Sequence, residues 1–318
     1  MNSFLSKVPT LDLNKFISGT DNKKNEFSQE IGVSFNQIGF AIIKNHGLNP
    51  LLVNDLYDQI KKFFHLGDKI KSKYEIPEKN GQRGYIGKRK EHAKGSKVGD
   101  LKEFFHVGHP DSLGDYGTNV WPDEELPLFK KYSIETYLEL EKIGLIVLQA
   151  IAKYLNIGEN YFLDKVKGGE SIMRAIHYFP IHDIDEDKNA VRAAAHGDIN
   201  FITLLMGASA EGLEILARNN KWIPIISESD HLVINVGDML ERLTNNKLRS
   251  TIHRVVNPKR ELIHTSRFSI PFFLHPKPDM DLSCLHNCID KNNPKRYKDI
   301  DARGFLEERL REIGLKSK

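Results

Sequence analysis

The sequence predicts an α+β protein whose all-β core follows a mainly helical first half. Up to about residue 168, the long segments with regular apolar spacing have the helical period. From Ser171 to about residue 276, the chain instead consists of short runs rich in β-branched and aromatic residues, with turn signals between them. Strands at such spacing are typical of a sandwich or a barrel, so we expect the β core there, with helices before and after it.

Helices account for most of the first half. The stretch EFSQEIGVSFNQIGFAII predicts a helix that leads into the apolar strand Phe40–Ile43. Asn49 can cap the next helix, and Pro50 suits its first turn. The longest helical pattern covers 126–155, and its apolar stripe consists of Ile134, Leu138, Leu145, Leu148, Ala152 and Leu155.

The predicted strands of the β core lie in SIMRAIHYFP, NFITLLM, GLEILARNNKWIPI, HLVINVGDML, STIHRVVNP and SRFSIPFFLHP. The third of these contains a hairpin whose turn falls at Asn219 and Asn220. The segment DARGFLEERLREIGL, 301–315, then has the spacing of an amphipathic helix. We therefore divide the chain into an N-terminal helical and loop region, a long bracing helix, the β core and a helical tail, with bounds 1–125, 126–168, 169–278 and 279–318.

Composition excludes several classes of protein. The 318 residues have a formal net charge of +3, and the lysines are interleaved with acids, so we expect no nucleic-acid partner. No apolar run approaches the roughly 18 residues that a membrane span needs, and the N-terminus lacks the pattern of a secretory signal. We expect a cytoplasmic protein that is a monomer or a weak homo-oligomer. Cys284 and Cys288, with His286 between them, are too few ligands for a metal site, so free thiols are the favoured interpretation.

The residues most suggestive of chemistry are His196 and Asp198, in RAAAHGDINFITLL. The apolar run after them predicts a strand, and residues two apart in a strand project from one face with Cα atoms about 6.5 Å apart. Two such side chains can converge on one metal ion. The same spacing recurs at His109 and Asp111, in GHPDSLGD, where turn-forming neighbours predict a loop and no apolar run follows. We interpret that second pair as a chance occurrence.

A third ligand would have to come from elsewhere, and the best candidate is His253 in STIHRVVNP, also on a predicted strand. Two imidazoles and one carboxylate on one side of a metal form the facial triad of non-haem Fe(II) oxygenases. The same ligand types bind catalytic zinc, and His253 alone could equally be a buried strand histidine. On the triad alone, iron and zinc both remain open.

Arg267 and Ser269, again two apart on a predicted strand, favour iron. An arginine fork with a hydroxyl beside it can hold a carboxylate through two parallel hydrogen bonds. An arginine that points inward from this apolar segment would otherwise be a costly buried charge. A zinc hydrolase has no need of this second anchor, whereas an iron enzyme that consumes a dicarboxylic keto acid does.

The ordered set His196-x-Asp198, His253 and Arg267-x-Ser269 resembles the iron(II)/2-oxoglutarate-dependent dioxygenases. Within them it is most similar to the branch of isopenicillin N synthase, flavonoid and gibberellin oxidases and 1-aminocyclopropane-1-carboxylate oxidase. The resemblance covers roughly residues 8–276. The segments that match the branch in order are VPTLDL, GFAIIKNHGL, RGYIG, DLKEFFHVG, LVINVGDMLERLTNNKLRSTIHRVVNP and RFSIPFFLHP.

The resemblance implies that the β core is a double-stranded β-helix, or jelly roll, flanked by N-terminal and C-terminal helices. It implies that His196, Asp198 and His253 bind Fe(II), and that Arg267 and Ser269 hold the C5 carboxylate of the cosubstrate 2-oxoglutarate. With O2, the enzyme would hydroxylate or otherwise oxidise a small-molecule substrate and release succinate and CO2.

One departure from the branch concerns the keto-acid contact. Where many relatives have Asn-Tyr-Tyr-Pro, this chain has His177–Pro180, so one residue of strand register decides whether Tyr178 or Phe179 faces the cosubstrate. We assign cosubstrate binding to Tyr178. Arg174, on the same predicted strand face, could aid an anionic ligand or be a structural charge.

The resemblance also places substrate selection in loops and the N-terminal region, here around Arg83, Tyr85 and Phe104. The leading hypothesis is a 2-oxoglutarate-dependent dioxygenase that acts on a small molecule. Two alternatives remain. An oxidase like isopenicillin N synthase keeps the triad and the Arg-x-Ser pair without using 2-oxoglutarate, and a non-catalytic jelly-roll protein would only bind a ligand.

Overall fold

A computed structural model shows two β-sheets that share one apolar interior, with helices on the outer face of the larger sheet. It describes residues 7–79, 81–88, 90, 102–111, 116–180, 192–207, 212–257 and 264–312. The strands are β1 (Thr10–Asp12), β2 (Phe40–Lys44), β3 (Gly84–Ile86), β4 (Lys102–Gly108), β5 (Ile172–Tyr178), β6 (Ala193–His196), β7 (Ile202–Met206), β8 (Leu213–Leu216), β9 (Trp222–Pro224), β10 (Leu232–Val236), β11 (His253–Val255), β12 (Arg267–Ser269) and β13 (Pro271–Leu274). The helices are α1 (Asn14–Ile17), α2 (Asp21–Gln37), α3 (Pro50–Phe64), α4 (Asp68–Lys71), α5 (Phe129–Tyr154), α6 (Leu163–Val166), α7 (Asp238–Leu243) and α8 (Ala302–Glu312).

The chain winds back and forth between the two sheets. The larger sheet has the order β1-β2-β10-β7-β13-β5-β4-β3, with β12 also paired to β5, and the smaller sheet has the order β6-β11-β8-β9. β1 and β2 run parallel, and the neighbours that carry the site are antiparallel. From β5 to β12 the strands alternate repeatedly between the sheets, as expected of a jelly roll. The predicted α+β jelly-roll fold is confirmed.

The two faces of the larger sheet bury different partners. One face meets the smaller sheet in an interior cluster that includes Phe40, Ile176 and Val233 from the larger sheet and Ile215 and Val255 from the smaller one. The other face packs on α2, α3 and α5 in a second, larger core. Because side chains alternate along a strand, strands such as β2, β4, β5 and β10 contribute to both cores. The site residues can therefore be sorted by the face on which they lie.

Of two predictions about the helices, one is confirmed and the other is partly wrong. At the start of α3, the Asn49 side chain accepts a hydrogen bond from the backbone N–H of Leu51 at 3.0 Å, so the predicted cap is confirmed. In α5 the predicted stripe is partly wrong, since Leu138 is exposed and Ile134 and Leu145 are only half-buried. α5 packs against α2 and α3 as well as the sheet, which buries a wider and rotated face. The covered residues on that face include Tyr137, Leu140, Ile143, Val147 and Ile151.

The β core contains the predicted hairpin, in which β8 and β9 pair antiparallel and Asn220 has φ +60° in the turn. The segment SRFSIPFFLHP is two strands, because β12 pairs with β5 whereas β13 pairs with both β5 and β7. α8 covers most of the predicted C-terminal helix, and residues 313–315 lie outside the described part. Within the described residues, every helix is too short or too polar to cross a membrane.

Candidate active site

His196, Asp198 and His253 come together at one edge of the smaller sheet. His196 is the last residue of β6 and His253 is the first of β11. The two are paired directly across the strands, with their ring centroids 4.5 Å apart. One nitrogen or oxygen atom from each of the three side chains lies within 4.8 Å of the other two. The structure thus brings together all three predicted metal-binding residues.

Asp198 reaches this cluster from a loop and not from a strand. β6 ends at His196, and Asp198 lies in the connection that leads to β7. Since β6 belongs to the smaller sheet and β7 to the larger one, the chain has to turn between the sheets at this point. The expectation that His196 and Asp198 share one strand face is therefore wrong, although their side chains meet.

Backbone carbonyls orient both imidazole rings. Nδ1 of His196 lies 2.7 Å from the carbonyl oxygen of Ala194, and Nδ1 of His253 lies 3.1 Å from that of Thr251. A carbonyl can only accept, so each Nδ1 carries the hydrogen and each Nε2 keeps its lone pair. The two Nε2 atoms lie 3.9 and 3.7 Å from Oδ1 of Asp198. This is the arrangement of imidazoles prepared to bind a metal.

The Asp198 carboxylate is held by its other oxygen. Oδ2 accepts hydrogen bonds from the Thr203 hydroxyl at 2.6 Å and from the Asn235 amide at 2.8 Å, which leaves Oδ1 directed at the histidines. Burial raises the pKa of Asp198, but the neighbouring His253 and His196 and the two hydrogen bonds outweigh it and hold the pKa below its usual value. The carboxylate is therefore ionised at neutral pH.

Burial also favours neutral imidazole at this site. Burial, together with the smaller effect of the neighbouring His253, lowers the pKa of His196 to about 4. The side chain of His196 is 41% exposed, whereas those of His253 and Asp198 are 9% and 6% exposed. Solvent therefore reaches the cluster from the side of His196.

The donor set fits a divalent transition metal. Two neutral imidazole nitrogens and one carboxylate oxygen are the ligands of the facial Fe(II) triad, and the outer contacts that such ligands need are present. In the described part of the chain, no other trio of His, Cys, Asp or Glu side chains converges in this way. Cys284 and Cys288 are buried and form no disulfide.

Arg267 and Ser269 lie on β12, in the larger sheet, opposite the strands that carry the histidines. Arg267 pairs with Tyr178 across β12 and β5, and its guanidinium lies 4.9 Å from the centre of the Tyr178 ring. Ser269 is buried. Tyr178 belongs to the same interior cluster as Ala193 of β6 and Val255 of β11. The predicted carboxylate anchor thus faces the interior near the histidine-bearing strands.

The register of β5 decides between Tyr178 and Phe179. Tyr178 is 3% exposed and packs in the interior cluster. Phe179 is half-buried, 4.9 Å from the ring of His177 and 4.8 Å from the Lys88 ammonium. Tyr178 is therefore the residue that faces the interior.

Arg174 occupies the same interior face, two rows of the sheet from Tyr178. Its guanidinium lies 4.4 Å from the Phe104 ring centre and 5.3 Å from that of Phe273. Its Nε donates to Nε2 of His106 at 2.5 Å. Aromatic rings and a histidine thus hold this cation within the barrel.

Two residues expected near the substrate entrance lie elsewhere. Arg83 is fully buried and pairs with Glu170 at 3.1 Å. Tyr85 packs in the helix-side core, where its hydroxyl donates to Glu103. The expectation that Arg83 and Tyr85 select substrate is therefore not supported, because both point away from the interior. Phe104 does face the interior.

The sequence interpretation missed the residues that support Asp198. Thr203 lies on β7 and Asn235 on β10, two adjacent strands of the larger sheet. The one available signal was that Asn235 is a polar residue within the apolar run LVINV. A buried amide in such a run requires partners, and Asp198 is one of them.

Comparisons with known proteins give a consistent family. Residues 8–124 match the family model described as non-haem dioxygenase in morphine synthesis N-terminal, and residues 169–276 match that of the 2OG-Fe(II) oxygenase superfamily. The proline hydroxylase buaE of Petromyces alliaceus is 32% identical over 96% of this chain and 98% of its own length. The 2-oxoglutarate-Fe(II) type oxidoreductase ppzD of Metarhizium rileyi is 30% identical over 96% of this chain and 90% of its own length.

Solved structures extend the comparison to the fold. A 2OG-Fe(II) oxygenase family protein from Caulobacter crescentus has a TM-score of 0.86 and 42% identity, covering 97% of this chain and 100% of its own. A full-length Neurospora crassa protein, solved in complex with alpha-KG and thymine, has a TM-score of 0.86 and 28% identity, with 96% of each chain covered.

Proposed function

The chain belongs to the Fe(II)- and 2-oxoglutarate-dependent oxygenases, in the isopenicillin-N-synthase-like superfamily, and from this membership we propose that His196, Asp198 and His253 hold its iron. The protein is a dioxygenase that uses Fe(II), 2-oxoglutarate and O2 to oxidise a small molecule. The observation that carries the ligand assignment is the convergence of the three donor atoms within 4.8 Å.

When bound, iron and 2-oxoglutarate supply the chemistry: O2 is activated, the keto acid loses CO2 to become succinate, and the substrate is oxidised. The residues of the chain position the reactants. The carbonyls of Ala194 and Thr251 keep the two imidazoles turned toward the metal position. Thr203 and Asn235 hold the carboxylate so that a single oxygen faces that position. The apolar barrel interior limits the access of water.

We assign the C5 carboxylate of 2-oxoglutarate to Arg267 and Ser269, with Tyr178 beside them. The planar guanidinium presents two parallel N–H groups to a carboxylate, and the Ser269 hydroxyl can add a third donor. Support comes from the strand register, which places all three side chains on the face of the larger sheet that meets the histidine-bearing strands.

We also propose that different regions of the chain have different roles. We assign the chemistry to 169–278, bracing to 1–125 and 126–168, and a covering role to the tail 279–318. In support, β1 to β4 extend the sheet that carries β5 and β12, and α5 covers its outer face. We also propose a small-molecule substrate, no nucleic-acid partner, and a cytoplasmic protein that is a monomer or a weak homo-oligomer. The near-neutral net charge of +3 supports the absence of a nucleic-acid partner.

Anaerobic titration tests the cofactor assignment directly. Fe(II) followed by 2-oxoglutarate should produce a weak visible charge-transfer band that requires both, and on admission of O2 the protein should release succinate. Proline and thymine are reasonable first members of a substrate panel, because each is named with one of the relatives above. Iron binding without the band, and no succinate with any substrate, would contradict the assigned keto-acid site and favour an oxidase that does not use 2-oxoglutarate.

A further inference from the structure

A buried ion cluster lies on the helix-covered face of the larger sheet. Its centre is Glu103 of β4, whose side chain is 1% exposed. Oε2 accepts hydrogen bonds from Lys71 Nζ at 2.7 Å and from the Tyr85 hydroxyl, and Oε1 accepts one from His177 Nδ1 at 2.8 Å. The other ring nitrogen, Nε2 of His177, lies 2.9 Å from Oγ of Ser266. These five residues, the Glu103 cluster, connect α4 through β4 and β5 to the residue that precedes β12.

The Glu103 cluster and the assigned keto-acid site occupy opposite faces of the same two strands. His177 precedes Tyr178 on β5, while Ser266 and Phe268 flank Arg267 at β12, and neighbouring residues in a strand point to opposite faces. The His177 ring stacks on Phe268, with centroids 4.8 Å apart and planes at 10°. His177 therefore contacts the residue on either side of Arg267.

β12 is fixed on β5 at its C-terminal end by the strand that follows it. Ser269 faces Ile176 and Phe272 of β13 faces Met173, so β12 and β13 keep one register on β5. At the other end of β12, Arg267 faces Tyr178, the last residue of β5. His177 contacts both neighbours of Arg267 at this end. The position of the keto-acid anchor therefore depends on how the N-terminal end of β12 is held.

Stability alone does not explain a cluster of this composition. Burial raises the pKa of Glu103, but hydrogen bonds from His177, Lys71 and Tyr85 outweigh it and hold the pKa below its usual value, so the carboxylate is charged. Removing paired charges from water costs about as much as their attraction returns, and apolar replacements are often at least as stable. Buried polar groups can instead give structural specificity, by fixing how the segments that they join are placed.

We propose that the Glu103 cluster holds the N-terminal end of β12 on β5 and so positions Arg267 for the keto acid, with His177 as the positioning residue. The inference rests on the proposed function of Arg267. His177 acts through the β12 backbone and through Phe268, on the face of the sheet opposite the cosubstrate.

His177→Phe is the direct test, because it keeps a ring to stack on Phe268 and removes both hydrogen bonds of the imidazole. We expect the 2-oxoglutarate affinity of the anaerobic Fe(II) form, read from the visible band, to fall about tenfold, the equivalent of one hydrogen bond. Iron affinity, measured by dialysis, should change by less than about threefold. The matched control is Glu170→Gln, which breaks the buried pair with Arg83 just before β5 and should lower the melting temperature without weakening 2-oxoglutarate binding.

A double variant separates positioning from general destabilisation. If His177 acts through Arg267, then adding His177→Phe to Arg267→Lys should weaken 2-oxoglutarate binding little further, because both changes disable the same anchor. Full additivity would overturn the proposal. An Arg267→Lys variant with normal affinity would instead overturn the assigned function of Arg267.

Ser266→Ala keeps the test decisive if His177→Phe does not fold. It removes only the last link and leaves the buried charges paired. We expect a smaller loss of 2-oxoglutarate affinity, about threefold, with an unchanged melting temperature. Normal affinity in Ser266→Ala, or in a folded His177→Phe, would reduce the Glu103 cluster to a structural ion network.

Discussion

The chain contains two His-x-Asp pairs in very different surroundings. His109 follows β4, packs its ring edge-on against Tyr137 at 5.7 Å between centroids, and places Nε2 3.7 Å from Glu141 of α5. Asp111 is exposed, and its backbone N–H donates to Nδ1 of His109 at 3.2 Å. That pair is a local turn attached to a helix.

At His196 the surroundings supply what His109 lacks. A second histidine, His253, lies directly opposite on the neighbouring strand. Oδ2 of Asp198 accepts a hydrogen bond from Thr203, and Oδ1 points toward the histidines. The comparison teaches that residue spacing alone does not bring potential metal ligands together. At His196, a cross-strand partner and an anchored carboxylate do so, and both come from the fold.

The largest expected effect is at Asp198. Asp198→Ala removes one of the three proposed ligands, so iron affinity should fall by more than about a hundredfold, beyond the cost of losing an outer contact, and succinate release should be undetectable. Asp111→Ala is the matched control and should leave iron stoichiometry and turnover unchanged. Iron stoichiometry by metal analysis and succinate release measure both, and a folded Asp198→Ala variant with normal iron and turnover would contradict the assignment.

The next largest effect is expected at Arg267, with Arg83, on the opposite face of the larger sheet, as its control. Arg267→Lys keeps the charge but loses the bidentate fork, and loss of a buried charged hydrogen bond costs roughly 2–5 kcal/mol. The half-saturating concentration of 2-oxoglutarate for succinate release should therefore rise about thirtyfold or more, with iron binding unchanged. Arg83→Lys, in the helix-side core, should leave that concentration as it is. Equal behaviour of the two variants would mean that the carboxylate is held elsewhere.

A third, smaller effect is expected from the support of Asp198. Thr203→Val is nearly isosteric and removes one of the two hydrogen bonds to Oδ2, while Asn235 keeps the other. Iron affinity should fall about tenfold, the lower end of what such outer contacts contribute. Competition with a chelator of known affinity measures it. An unchanged affinity would show that Asn235 alone holds the carboxylate.

The sequence predicted which side chains converge at the candidate site, but it did not predict the residues that surround them. The convergence of His196, Asp198 and His253 could be predicted because ligand chemistry and order along the chain restrict the choice. The loop position of Asp198 and its contacts with Thr203 and Asn235 could not, since they arise where the chain crosses between sheets and where β7 meets β10.

The other predictions depended on strand register and on which face of a strand or helix is buried. Whether Tyr178 or Phe179 points inward depends on a one-residue alternation that the apolar sequence around them leaves open. Arg83 and Tyr85 lie at β3, the strand that pairs with β4, yet they pack on the helix side of the sheet. The buried face of α5 was misplaced because α2 and α3 widen it, and neither neighbour is visible in the helix's own spacing.

The smallest expected effect is at Glu141, which lies beside His109 of the other His-x-Asp pair. Glu141, the partner of His109, has its side chain 7% exposed, and burial raises its pKa even though His109 and the N–H of Gly168 oppose the rise. Folding therefore disfavours the ionised form, so the wild type loses stability as pH rises from the ordinary glutamate value through the raised one. Glu141→Gln should escape that loss, so its free energy of unfolding should exceed that of the wild type at pH 8. The advantage should shrink at pH 5, as urea unfolding at both values will show, with iron binding unaffected. A variant that is less stable than the wild type by the same amount at both pH values would contradict this prediction. It would mean that the contact between Glu141 and His109 stabilises the fold at either pH.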